Sequence, residues 1–351
     1  MNVFTGTVLP ILVAIFGLGF LMVVHEAGHF LVARYFGMRV TTFSIGFGPA
    51  LWKRKPEGSP TTYQIAIIPF LAYVQIAGLN PLEEIDPNDK TSYANASLHA
   101  RILTIFAGPL ANYLVASVLF FGAFMIGGRP GELTTNVLVM PGGPAAAAGL
   151  QDGDKIIEVG GEAIKDWEQV RRLISTQAGK AVDVVVERSG QRTTITVTPK
   201  AEKDGQGRIG VTSKVTNVPV PVGTAAILAL EQPPKIVVGL VTGLARIIRG
   251  QEKAELSGPV GITKEIARAL KSSFADYLYI LGALSAYLAG FNLLPIPALD
   301  GGRLMFLGYE LTTRKRPNAK VEAHVHAIGL LMLLALVLVV TVFSDIPRAA
   351  P

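Results

Sequence analysis

Residues 1–24 carry no charged side chain, and a helix built from residues 9–24 would be apolar on every face. A water-soluble fold has room for few such helices; a bilayer accepts them readily. Residues 102–128, 277–299 and 327–343 are comparable, each near the roughly 20 helical residues that cross a hydrocarbon core. Half of the 351 residues are hydrophobic and only 17% are charged, with a mean hydropathy of +0.43. The expectation is a polytopic α-helical membrane protein with four transmembrane helices. Residues 1–24 lack the basic start and small-residue cleavage site of a signal peptide, so the first run reads as a retained span.

The formal charge of +6 comes from basic residues scattered beside apolar runs, without a basic stripe or interleaved aromatics. Nucleic acid is therefore not an expected partner; anionic lipid headgroups of the bilayer are. With no cysteine, the chain has no disulfide, thiolate site or cysteine nucleophile. Any metal must be held by His, Asp or Glu.

The first run leads straight into His25-Glu26-Ala27-Gly28-His29. On a helix, residues four apart share a face, so both imidazoles can reach one cation with Glu26 beside it. This spacing predicts a catalytic Zn2+, with Glu26 as the base that deprotonates an attacking water. Two histidines and a glutamate at the end of a span are costly, which argues against accident. A catalytic zinc takes three protein ligands, so one more must come from elsewhere. The best candidate is Asp300, the one acid in Asn292-Leu293-Leu294-Pro295-Ile296-Pro297-Ala298-Leu299-Asp300-Gly301-Gly302. Pro295 and Pro297 break a helix there. Alternatively, Asp300 only marks where the third span leaves the membrane.

Residues 136–199 differ in character, alternating short β-branched runs with Gly-rich turns. Val137-Leu138-Val139, then Gly143-Pro144-Ala145 through Ala148-Gly149-Leu150, then Gly153-Asp154-Lys155-Ile156-Ile157 resemble a PDZ domain of the bacterial permuted kind. A helix is expected at 167–175 and the last strands at 181–187 and 193–198. The expected division is residues 1–128 as an N-terminal membrane half, 129–200 as an inserted α+β PDZ domain, 201–276 as a linker with amphipathic helices, and 277–351 as a C-terminal membrane half. Within the linker, 222–248 is apolar but interrupted by Glu231, Pro233, Pro234 and Lys235. It reads as amphipathic helices lying at the surface or against the bundle, because a further crossing would put Asp300 on the opposite membrane face from His25.

The histidine motif and the Asn292–Asp300 segment together resemble the site-2 protease family of intramembrane zinc metalloproteases. The inserted domain points to its regulator-of-sigma-E protease group. The resemblance implies Zn2+ held by His25, His29 and Asp300, with Glu26 as general base and Asn292 holding substrate or the developing oxyanion. It also implies a membrane-associated β-hairpin at 41–49 and 61–76, where Gly46 and Gly48 would bare a backbone edge for an unwound substrate. Gly108-Pro109 with Asn112, and Ser257-Gly258-Pro259-Val260-Gly261, also resemble family segments, with structural roles. Implied substrates are single-span membrane proteins, such as trimmed anti-sigma factors or leftover signal peptides, with a peptide or substrate tail at the PDZ domain.

Basic residues set the expected orientation. Arg34, Arg39, Lys53, Arg54 and Lys55 follow the first span, and Arg303, Arg314, Lys315, Arg316 and Lys320 follow the third; such loops stay cytoplasmic. The active site would lie near the cytoplasmic side of a bacterial inner membrane, with the PDZ domain periplasmic or extracellular. Two other classes are open to such a sequence: a PDZ scaffold merely anchored by its spans, and an ion transporter whose histidines line a pathway.

Overall fold

The computed structural model describes residues 8–202, 205–252, 258–345 and 347. The first seven residues of the charge-free stretch, and Ser257, lie outside them. In chain order the elements are α1 (Leu9–Tyr35), β1 (Val40–Arg54), β2 (Thr62–Ile76), α2 (Leu98–Gly127), β3 (Arg129–Val139), α3 (Pro144–Ala147), β4 (Lys155–Val159), β5 (Glu162–Ala163), α4 (Trp167–Ser175), β6 (Val182–Arg188), β7 (Gln191–Val197), β8 (Lys200–Ala201), β9 (Gly207–Arg208), β10 (Val211–Val218), α5 (Val222–Ile248), α6 (Pro259–Ser272), α7 (Phe274–Asn292), α8 (Asp300–Thr313) and α9 (Ala319–Val340). They form two compact units, Met1–Ile126 with Pro221–Pro351, and Gly127–Val220.

In the first unit, α1 opens on a proline in its first turn, where the missing N–H costs nothing. It runs unbroken through both histidines. Ala14 and Leu21 of α1 pack with Ile266 of α6 and Leu281 of α7 in one buried cluster. Against α2 the approach is closer. A Cβ on Gly28 would lie 2.2 Å from the carbonyl oxygen of Ala107, so the two backbones touch, as small residues permit between membrane helices.

Among the described residues, five helices are long and apolar enough to cross a membrane: α1, α2, α5, α7 and α9 with its extension to Asp345. The chain is a multi-pass membrane protein. The stretch read as several amphipathic helices is a single continuous helix, α5, with Pro233 and Pro234 inside it. The proline ring fixes φ near the helical value, so the pair costs hydrogen bonds without forcing a break. The third run behaves as its prolines require. Helix α7 stops at Asn292, residues 293–299 are non-helical, Ala298 adopts a φ of +74°, and α8 restarts at Asp300.

The expected hairpin is more elaborate than two strands. Residues 40–45 of β1 pair on one side with 72–76 of β2 and on the other with 62–65, which also pair with 52–54. Each long strand therefore bends on itself, and the segment order is 72–76, 40–45, 62–66, 50–54. Gly46 and Gly48 lie at the bend of β1 with φ of +95° and +93°, values that favour glycine.

The second unit holds an antiparallel sheet in the order β10-β3-β4-β6-β7, with β5 beside β4. Its core includes Val137, Ile156, Val170, Val184 and Val197. Helix α4 begins where expected, with the Asp166 side chain accepting the N–H of Gln169, an N-cap. The unit extends to Val220 rather than residue 200. The first part of the expected linker supplies β10, which pairs along β3 from Val211↔Val139 to Val218↔Arg129 and covers an edge that β3 would otherwise expose.

Candidate active site

Helix α1 places His25 and His29 one turn apart on a buried face, 5% and 6% exposed. The restart of the chain at α8 brings Asp300 to them. The Nε2 atoms of the histidines are 3.2 Å apart, and Asp300 Oδ2 lies 3.0 Å from His25 Nε2 and 3.3 Å from His29 Nε2. Atoms coordinating a tetrahedral zinc at about 2.0–2.1 Å stand about 3.3–3.4 Å from one another, within a few tenths of an ångström of this triangle. The donor set, two imidazoles and one carboxylate, suits the same ion. Asp300 Oδ2 is buried and, among the described residues, has no hydrogen-bond donor. The residues fit zinc, and among the described residues no other group of three His, Asp or Glu converges in this way.

The ring orientations are held from α2. His29 Nδ1 is 2.8 Å from the carbonyl oxygen of Thr104. A carbonyl only accepts, so the proton sits on Nδ1 and the Nε2 lone pair points at the triangle. Gly108 lies under both rings: a Cβ there would be 2.3 Å from His29 Nε2 and 2.9 Å from His25 Cε1. The Gly108-Pro109 segment, expected to be structural, is thus the floor of the site. Sequence reasoning also passed over Thr104 and Val74. The backbone N–H of Val74 donates to Glu26 Oε2 at 2.9 Å, fixing the carboxylate at the sheet edge.

A cavity of about 510 Å³ is lined by His25, Glu26, His29, Asn292 and Asp300 together with apolar side chains such as Met22, Val74 and Phe291. Asn292 therefore reaches the site, with its Nδ2 donating back to the Leu288 carbonyl at 3.0 Å. Gly46 and Gly48 do not line the cavity. A Cβ on Gly46 would sit 2.7 Å from the Ala66 carbonyl oxygen, so the two backbones approach closely there. Of the remaining histidines, His326 accepts the Ala298 N–H at Nδ1, 3.0 Å away, and braces the loop before Asp300.

The arrangement can hold a divalent cation beside a carboxylate in a largely apolar cavity. The sequence profile of peptidase family M50 matches residues 13–336. The chain belongs to peptidase family M50. The matched span of this M50 peptidase, a member of the site-2 protease family, runs from α1 into α9 and includes His25, Glu26, His29 and Asp300. A protein of Mesorhizobium japonicum that carries a zinc metalloprotease name is 33% identical over 357 residues, covering 94% of this chain and 96% of the relative. The zinc metalloprotease RasP of Geobacillus kaustophilus is 30% identical over 407 residues, again covering 94% and 96%. Among solved structures, the PDZ domain of an SdrC-like protein from Listeria innocua aligns with 23% identity to 23% of this M50 peptidase and 93% of that chain, with a TM-score of 0.21.

Proposed function

We propose that this M50 peptidase is a zinc metalloendopeptidase that hydrolyses peptide bonds within or beside transmembrane segments of other membrane proteins. The observation that carries the reading is the meeting of His25, His29 and Asp300 next to Glu26, on a helix apolar enough to span a membrane. Zinc held by these three residues would supply Lewis acidity, polarising a peptide carbonyl and bringing the pKa of a bound water toward neutrality. Glu26 takes the proton of the attacking water and returns it to the leaving amine. Asn292, in the same cavity, offers its amide to the substrate carbonyl as charge develops there.

A substrate helix hides its carbonyls and must unwind before attack. Strand 72–76 is suited to receive the extended stretch: among the described residues its ladder partners all lie on 40–45, and Val74 and Ile76 line the cavity. A peptide added along that edge would run past the zinc ligands. Gly46 and Gly48 contribute by shape, bending β1 so that this sheet can form.

The four-span reading is retained, with α1, α2, α7 and α9 crossing. Asp300 meets His25 only if α7 and α1 run in the same direction. A full crossing by α5 would then need α6 to return, and its 14 residues reach about 21 Å against a core of about 30 Å. The basic residues after α1 and α8 put the active site near the cytoplasmic side and the second unit on the periplasmic side. That unit is read as a PDZ domain. Its edge strand β10 and helix α4 line a groove of about 720 Å³ with Trp167, Val170, Ile174, Ile209 and Val211 on its walls, suited to an extended tail of a single-span substrate.

The test is cleavage by the full-length protein, purified in detergent, of a transmembrane peptide containing helix-breaking residues. Activity lost on chelation and restored by zinc supports the reading. Zinc binding without cleavage of any transmembrane peptide would favour the transporter class.

A further inference from the structure

His29 has its outer nitrogen anchored by the Thr104 carbonyl, and His25 needs an equivalent. Ligation through Nε2 leaves the single proton of a neutral imidazole on Nδ1, and a buried N–H there requires an acceptor. The side chain at hydrogen-bonding distance from His25 Nδ1 is the amide of Asn112, 3.4 Å away on α2. Asn112 is fully buried. Among the described residues its Oδ1 has no hydrogen-bond partner, although its Nδ2 faces the imidazole. The two ends of an asparagine amide are nearly the same size, and which end faces a neighbour is settled by the hydrogen-bond network.

We propose that Asn112 is the positioning residue for His25, its side-chain carbonyl accepting the Nδ1–H and so aiming the Nε2 lone pair at Asp300 and His29. The inference rests on the zinc reading above and extends it to a residue that touches neither metal nor substrate. The main chain of α2 is held independently: Ser285 on α7 donates to the Asn112 backbone carbonyl at 2.8 Å, a bond that a side-chain replacement leaves in place. Asn112 therefore acts on the metal through one ring. Partners of this kind change metal affinity by about 10–100-fold when removed.

The experiment measures zinc affinity by chelator competition on full-length protein in detergent, for native, Asn112→Leu and Asn112→Asp forms, with thermal unfolding to verify folding. Asn112→Leu keeps the volume and removes the acceptor, and should bind zinc about 10–100-fold more weakly. Asn112→Asp supplies a carboxylate acceptor and should restore native affinity. Equal affinity of native and Asn112→Leu overturns the proposal, as does an equal fall in both folded variants. A native protein that binds no zinc overturns the metal site itself, a distinguishable failure. Should Asn112→Leu not fold, nitrogen-15 histidine spectra of the zinc-loaded native protein decide: a protonated Nδ1 on His25 upholds the assignment, and coordination through Nδ1 overturns it.

Discussion

A Cβ placed on Gly108 would lie 2.3 Å from Nε2 of His29, the nitrogen that faces Asp300. No rotamer change at residue 108 relieves such a contact, because a Cβ has none. Gly108→Ala is expected to push the His29 ring away and weaken zinc binding on the order of 10–100-fold, the range associated with loss of a ligand's support. Gly243→Ala, whose Cβ would meet nothing within 4 Å, is the control. Bound zinc measured after dialysis against a weak chelator distinguishes them; native zinc content in Gly108→Ala would contradict this packing.

Glu26 is held at its working length by the Val74 N–H, 2.9 Å from Oε2. Glu26→Asp withdraws the carboxylate by one methylene from both Val74 and the triangle. Cleavage should fall about 10²–10⁴-fold, the span attributed to a positioned general base, with zinc retained. A variant that loses its zinc as well would assign Glu26 a ligand's role instead.

Asp300 supplies one corner of the triangle, 3.0 and 3.3 Å from the two imidazole nitrogens. Asp300→Ala leaves two protein ligands where catalytic zinc uses three, and zinc affinity should drop by more than about tenfold. Isothermal titration with zinc reads this directly, and an unchanged affinity would remove Asp300 from the ligand set.

The second unit carries its own pH dependence. Arg188 donates to both oxygens of Asp154 at 2.7 Å, and this hydrogen bonding holds the Asp154 carboxyl below its ordinary value of 3.8. A carboxyl whose pKa is depressed in the folded state adds stability above its unfolded value, and that stability is lost as pH falls through the folded one. Acid unfolding of the region around Trp167 should therefore begin below about pH 4. Arg188→Met should move it upward; an unmoved fluorescence transition would show that the pair contributes nothing.

How much of this was legible in the sequence depended on distance along the chain. His25, Glu26 and His29 share one helical turn, so spacing alone assembled them. Asp300 was named from its segment and a family resemblance, and its approach depends on the non-helical stretch after Asn292, which Pro295 and Pro297 did announce. Thr104 and Gly108 were not legible as site residues. A threonine carbonyl is invisible in sequence, and a glycine in an apolar helix looks like any contact between spans. The bends of β1 and β2 were hidden because period-two patterning reports a strand but not which neighbours it takes. Strand β10 was taken for linker because Val211–Val218 becomes a strand only by pairing with β3, across the whole unit. Several helices were expected where α5 is one, because Pro233 and Pro234 interrupt hydrogen bonding without ending the helix.

The central claim is that Glu26 performs chemistry at a zinc that it does not hold. Its most direct test pairs zinc content with cleavage of a transmembrane peptide for native protein and Glu26→Gln, a change that keeps the side chain's length and an oxygen able to accept the Val74 N–H. The prediction is equal zinc in both forms and a cleavage rate lower by about 10²–10⁴-fold in the variant. Equal cleavage by the two forms would contradict the account.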